Sequence, residues 1–211
     1  MKVIRCDYFL VRHLKPQVAS GICYGASDLA ADEQPVPVWA SFANTCSLPV
    51  CSSPLQRAAL LADFLAMNQR DAGDVNIDPR WQELDFGDWE GLSWQQIGQD
   101  NVESWQQNLL GFQFPNGESA LQMQQRVLSA WRDWLRQRTG GVLVTHLGVM
   151  RMLLGQVLQI PFQQQLMLQI DYQKAAWLQQ SWLEDDKGAI QPGSEVWQLK
   201  GVNLSADALL R

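Results

Sequence analysis

Apolar residues crowd the chain in a few short runs, separated by longer segments in which they recur at helical spacing. Residues 3–12 are rich in Val, Ile, Tyr, Phe and Leu with little alternation, which predicts a strand buried on both faces. Val142 to Thr145 is a second such run, and Val50-Cys51 a brief third. Leu55, Ala58, Ala59, Ala62 and Leu65 repeat as one helical face, predicting a helix to about Met67 with Ser53 as its N-cap and Pro54 at its first position. Gly117-Glu118-Ser119 opens a longer helix to about Gln137, with Leu121, Val127, Leu128, Trp131, Trp134 and Leu135 inward, and Leu147 to Leu158 forms another. A short helix near Val36 to Thr45, an edge strand at Asn76 to Asp78, and strands over Ala175 to Trp182 and Glu195 to Val202 complete the pattern. Residues 92–115, polar and Trp-bearing, predict short helices over the sheet edge, and Gln163 to Gln165 a solvated surface.

Strands alternating with helices, without an internal repeat or long linker, predict an α/β fold: a three-layer α/β/α sandwich with a mostly parallel central sheet. Residues 1–211 read as one domain, with a small helical cap over about 89–115. A chain of this length buries a full core.

Net charge is −6, which argues against a broad surface for nucleic acid or anionic membrane. No apolar stretch reaches membrane-spanning length. Four cysteines show no CxxC or zinc-like spacing, and the N-terminus does not read as a signal peptide, so reduced thiols in a cytoplasmic protein are expected.

Chemistry concentrates at strand ends. Both of the chain's histidines, His13 and His146, come directly after apolar strands, where open α/β sheets bind ligands. Arg12 precedes the first, and Arg57 lies in the opening turn of a helix that succeeds a third strand end. Guanidinium meets phosphate oxygens with paired hydrogen bonds, and imidazole forms a P–N bond that water later breaks. His146 is expected to donate to the same oxygens, better if protonated. A leaving alkoxide needs a proton, and Glu83, Asp85, Asp88 and Glu90 are all candidates, with Trp81, Leu84 and Phe86 offering apolar surroundings to Glu83. Two histidines so far apart give little support to a metal hydrolase.

These segments are familiar together. Phe9-Leu10-Val11-Arg12-His13, Ser52-Ser53-Pro54-Leu55-Gln56-Arg57-Ala58, Glu83 through Gly91, Pro115 through Ser119 and Val144 through Arg151 resemble, in order, the motifs of the histidine phosphatase superfamily, phosphoglycerate mutase-like branch. The resemblance implies that His13 is phosphorylated, that Arg12, Arg57 and His146 bind the phosphoryl group, and that Glu83 is general acid and then base. It implies no metal or other cofactor, and a small-molecule phosphate ester as partner. Ser20 to Gly25 with Asp28 looks most like the alpha-ribazole phosphatases of cobalamin assembly. Leu14 and Leu147 stand where the family commonly has glycine, and Ala19 where many members place asparagine; the two leucines are expected to crowd or line the pocket. A broad-specificity phosphatase and a phosphoglycerate mutase are the neighbouring readings, and a non-catalytic phospho-ligand module the one of another class. In the cap, Trp94, Trp105, Phe112 and Phe114 either stack on a heteroaromatic ring or pack the cap's own core.

Overall fold

A computed structural model describes residues 1–71 and 73–210. Six strands form one sheet: β1 (Lys2–Arg12), β2 (Val50–Ser52), β3 (Asn76–Ile77), β4 (Gly141–Thr145), β5 (Ala175–Glu184) and β6 (Val196–Leu204), in the order β3-β2-β4-β1-β5-β6. The first four are mutually parallel, and β5 and β6 extend the sheet antiparallel. Residues 8–11 are all buried because helices cover both faces of β1. Tyr8 and Leu10 point into one core, and Phe9 and Val11 into the other.

The Tyr8 side is covered by α5 (Ala120–Arg136) and α6 (Leu147–Leu158), with Trp131 and Trp134 edge-on to the Tyr8 ring. The opposite side carries α1 (Val38–Thr45), α2 (Gln56–Met67) and α8 (Ala206–Leu209). This is the three-layer sandwich. Among the described residues, no helix is long and apolar enough to cross a membrane, and the four cysteines are free thiols.

The cap contains α3 (Trp94–Ile97) and α4 (Gln99–Gln107). Its own small core joins Cys23, Trp89, Ile97 and Phe114, with Phe86, Trp105 and Phe112 packed against it. Phe112 and Phe114 therefore serve that core, while Trp94 and Trp105 stack on one another, 5.9 Å between centroids, and line a cavity below.

Three details differ from expectation. The α2 helix starts at Gln56, with Leu55 extended before it; the Ser53 oxygen accepts from Leu55 N at 3.4 Å, a local turn ahead of the helix rather than its N-cap. Leu121 is 41% exposed: the inward stripe of α5 runs through Ala120, Met123, Val127, Ala130, Trp131 and Trp134, and Leu121 sits one residue off it. Gln165, in the short α7 (Phe162–Gln165), is buried, its amide resting where Gly155 lacks a Cβ and donating to the Ile160 carbonyl.

Candidate active site

Register explains why residues far apart in sequence meet. Arg12 on β1 pairs with Thr145 on the adjacent parallel β4, so the next residue on each strand is a histidine, and the two imidazoles leave the sheet side by side. Their ring centroids are 4.8 Å apart, close to the spacing of neighbouring strands. Strand β2 lies on the other side of β4, with Ser52 opposite Val144, so Ser53 arrives beside His146. Its hydroxyl is 2.8 Å from His146 Nε2.

The His13 ring is held in one tautomer. Its Nδ1 lies 2.5 Å from the Leu14 carbonyl, which only accepts, so Nδ1 carries the proton and Nε2 keeps a free lone pair. His13 lines the cavity above the sheet end, about 550 Å³ in volume. His146 is fully buried against His13 rather than on the cavity wall, and its Nδ1 has no hydrogen-bond partner among the described residues. When the Ser53 hydroxyl donates to Nε2, Nδ1–H becomes a donor awaiting an acceptor.

Both arginines reach this cavity. Arg57 is fully buried and makes no ion pair among the described residues; its terminal nitrogens donate to the Ser27 and Gly25 carbonyls at 2.7 and 2.6 Å. Burial pulls its pKa down, a penalty that a bound anion would offset. Arg12 donates to the Ile170 carbonyl at 2.6 Å, and its guanidinium lies 3.9 Å from the centre of the Tyr172 ring. The Tyr172 hydroxyl meets that of Tyr24, 2.9 Å away, so the loops that hold the two arginines are tied together.

Of the four candidate carboxylates, the structure selects one. Asp85 accepts from Gly87 N, Asp88 from the Asn116 amide, and Glu90 from Ala26 N, Ser27 and Phe86 N, all stabilising loops. Glu83 alone lines the cavity. Its carboxylate accepts from Gly148 N at 3.0 Å and Leu84 N at 3.2 Å. The backbone beneath it is clamped by Arg126, which donates to the carbonyls of Arg80, Gln82 and Glu83 and pairs with Glu118. A Cβ at Gly148 would overlap Glu83 Oε1 and push the carboxylate aside, so the glycine leaves room for its present position. Leu84 and Phe86 do line the cavity beside Glu83, whereas Trp81 is buried in the sheet-side core.

The two unusual leucines separate. Leu147 lines the cavity, but Leu14 points into the core with Trp39 and Phe42 and leaves the pocket uncrowded. Ala19 is exposed and outside the cavity wall. The sequence assigns no site role to Ser53, Tyr24, Tyr172 or Arg151, although the first, second and fourth lie in the segments named above. For Ser53 the available signal is that it directly follows a strand end, as both histidines do. For Tyr172 there was none, because its loop belongs to no motif.

Burial first, then the charge of Arg57, lowers the His13 pKa well below its usual value; burial first, then His13, does the same to His146. His146 is therefore held toward its neutral form in the free protein, and an incoming dianion would favour its protonation. Both histidines charge more readily in the unfolded chain, which sets the sign of their effect on stability. Their contribution is complete above about pH 6.5 and is lost as pH falls below it, by up to roughly 1.4 kcal/mol per pH unit for each ring. Urea midpoints should fall between pH 6.5 and 5, and replacing His146 with Gln should flatten that part of the profile.

Among the described residues no cluster of three His, Cys, Asp or Glu could hold a metal ion. Several known proteins resemble this chain. A "Probable phosphoglycerate mutase GpmB" of Enterobacter sp. (strain 638) is 29% identical over 201 residues, covering 86% of this chain and 92% of its own. The solved alpha-ribazole phosphatase of Shigella flexneri superposes with a TM-score of 0.67 at 24% identity, over 93% of this chain and 96% of its own. A mycobacterial glucosyl-3-phosphoglycerate phosphatase gives a TM-score of 0.75 at 22% identity, over 96% of this chain and 100% of its own. The histidine phosphatase superfamily (branch 1) matches residues 33–189, a span that includes Arg57, Glu83 and His146, and the chain belongs to that superfamily.

Proposed function

We propose that the protein is a phosphomonoesterase working through a phosphohistidine. The observation that carries this reading is the His13 Nε2 lone pair, fixed by the Leu14 carbonyl on a cavity wall that also presents Arg12, Arg57 and Glu83. Nε2 attacks phosphorus as the bond to the ester oxygen breaks, and Glu83 gives its proton to that oxygen. Water then attacks the phosphohistidine while Glu83 takes the proton back, the P–N bond breaks, and inorganic phosphate leaves. Arg12, Arg57 and His146 Nδ1–H hold the nonbridging oxygens throughout, a preorganised arrangement of donors around the transferring charge.

The alcohol side of the cavity is apolar, with Ile22, Phe86, Trp94, Trp105, Leu109 and Met123 among its lining residues. That suits a ring-bearing ester, and the loop around Tyr24 makes alpha-ribazole 5′-phosphate the first candidate to test. A phosphoglycerate mutase uses the same machinery but returns the phosphoryl group to a second hydroxyl; an apolar wall offers little to so polar a substrate. A module that only binds phosphate has no use for a free Nε2 or for Glu83. Four free thiols suit a reducing compartment, so we place the protein in the cytoplasm.

The test measures phosphate release from 4-nitrophenyl phosphate and alpha-ribazole 5′-phosphate beside isomerisation of 3-phosphoglycerate. Net release with the ring-bearing esters is expected; isomerisation without release would reassign the chain as a mutase.

A further inference from the structure

We infer that Arg151 forms a second anion subsite in this cavity, taking a negatively charged group at the far end of the leaving alcohol. The inference rests on the phosphomonoesterase reading and narrows its substrate class. Three guanidiniums face the cavity, Arg12, Arg57 and Arg151, against one carboxylate, Glu83. None of the three forms an ion pair among the described residues. Two are accounted for by the phosphoryl dianion beside His13. The third is not.

Arg151 has a defined place. It lies on the face of α6 that also presents Leu147, Gly148 and Met152 to the cavity. Its backbone is five residues beyond His146, roughly 7.5 Å along the helix axis, so its side chain meets the cavity away from the two histidines. Nε donates to the Leu168 carbonyl at 2.9 Å, which fixes the guanidinium, while the terminal nitrogens have no hydrogen-bond partner among the described residues. Around it the wall is apolar: Leu147, Met152, Phe162 and Leu166. An unpaired charge on such a wall is held at a solvation penalty, and burial does pull its pKa down.

Glu83 is the one internal group positioned to balance it, and its charge opposes that shift. Yet Glu83 must be protonated to release the alcohol. At that moment the cavity holds three cations for one phosphoryl group, and the surplus sits on Arg151. A substrate carrying a second anion removes the imbalance when it is needed. Alpha-ribazole 5′-phosphate supplies the aromatic body but no such charge, so one panel decides between them.

The panel compares kcat/KM for 4-carboxyphenyl phosphate and its neutral isostere 4-carbamoylphenyl phosphate, with 1,4-phenylene bisphosphate and alpha-ribazole 5′-phosphate alongside. The carbamoyl ester has the better leaving group, so intrinsic reactivity runs against the expected order. The wild-type protein should prefer the carboxylate by about tenfold or more, the scale of one charge-assisted hydrogen bond. Arg151→Met should bring the ratio to within about twofold of unity, and Arg151→Lys, a point charge without the planar fork, should keep part of it. The bisphosphate shows whether a second phosphate serves as well as a carboxylate. A wild-type ratio near one would overturn the subsite without needing any variant to fold. An equal loss on both esters in Arg151→Met would also overturn it, because Arg151 would then act only through Glu83 or the fold. If the wild type hydrolyses none of the four, the phosphomonoesterase reading fails first and the subsite falls with it.

Discussion

An alanine at position 13 should all but stop phosphate release while phosphate binding survives. The expected loss in kcat is on the order of 10⁴-fold or more, as when a covalent nucleophile is removed from a site whose other parts remain. The binding expectation comes from where the cations are anchored. Arg12 is fixed by Ile170 and Tyr172, and Arg57 by Gly25 and Ser27, none of which depends on the His13 ring. Affinity for inorganic phosphate should therefore stay within about tenfold, or 1.4 kcal/mol, as measured by calorimetry on a variant whose circular dichroism matches wild type. Equal turnover in the two proteins would remove His13 from the reaction.

Replacing Glu83 with glutamine should separate substrates by leaving group. An alkyl phosphate needs a proton on its departing oxygen, so its hydrolysis should fall by about 10³-fold, within the range of general acid–base catalysis. The nitrophenolate leaves unaided, so transfer from 4-nitrophenyl phosphate to His13 should proceed. Water activation then becomes slow, and a burst of nitrophenol equal to the enzyme concentration should precede a slow steady state. Gly148→Ala should give the same signature more weakly, about tenfold, because the added Cβ displaces the Glu83 carboxylate from its backbone donor without removing it. A uniform loss across leaving groups in both variants would assign Glu83 to binding.

Much of this site could be read before any coordinates, for a physical reason. Strands β1 and β4 are buried on both faces, so their sequences are nearly unbroken apolar runs with sharp ends, and the first polar residues past those ends, His13 and His146, stand out. Arg57 was legible because it opens a helix after a third such run. The choice of Glu83 over Asp85, Asp88 and Glu90 was not legible from the residues themselves. All four lie in one carboxylate-rich segment, and only long-range partners decide among them: Gly148 for Glu83, Asn116 for Asp88, Ala26 and Ser27 for Glu90. The helix start also differed. Ser53 has an N-cap's composition, but its oxygen accepts from Leu55 N two residues on, and Leu55 stays extended, so the helix begins later at Gln56. Leu14 misled because the residue after a strand can turn toward core or ligand, and nothing local distinguishes the two.

The strand order carries a consequence for how the protein is made. β4 lies between β2 and β1 yet is synthesised after both. Until about two-thirds of the polypeptide has left the ribosome, two apolar strands wait with unpaired edges for the segment that joins them, a state prone to association with other chains. The nascent protein thus has no phosphate-handling centre before β4 and His146 emerge, and its demand on chaperones should peak just before residue 141 does.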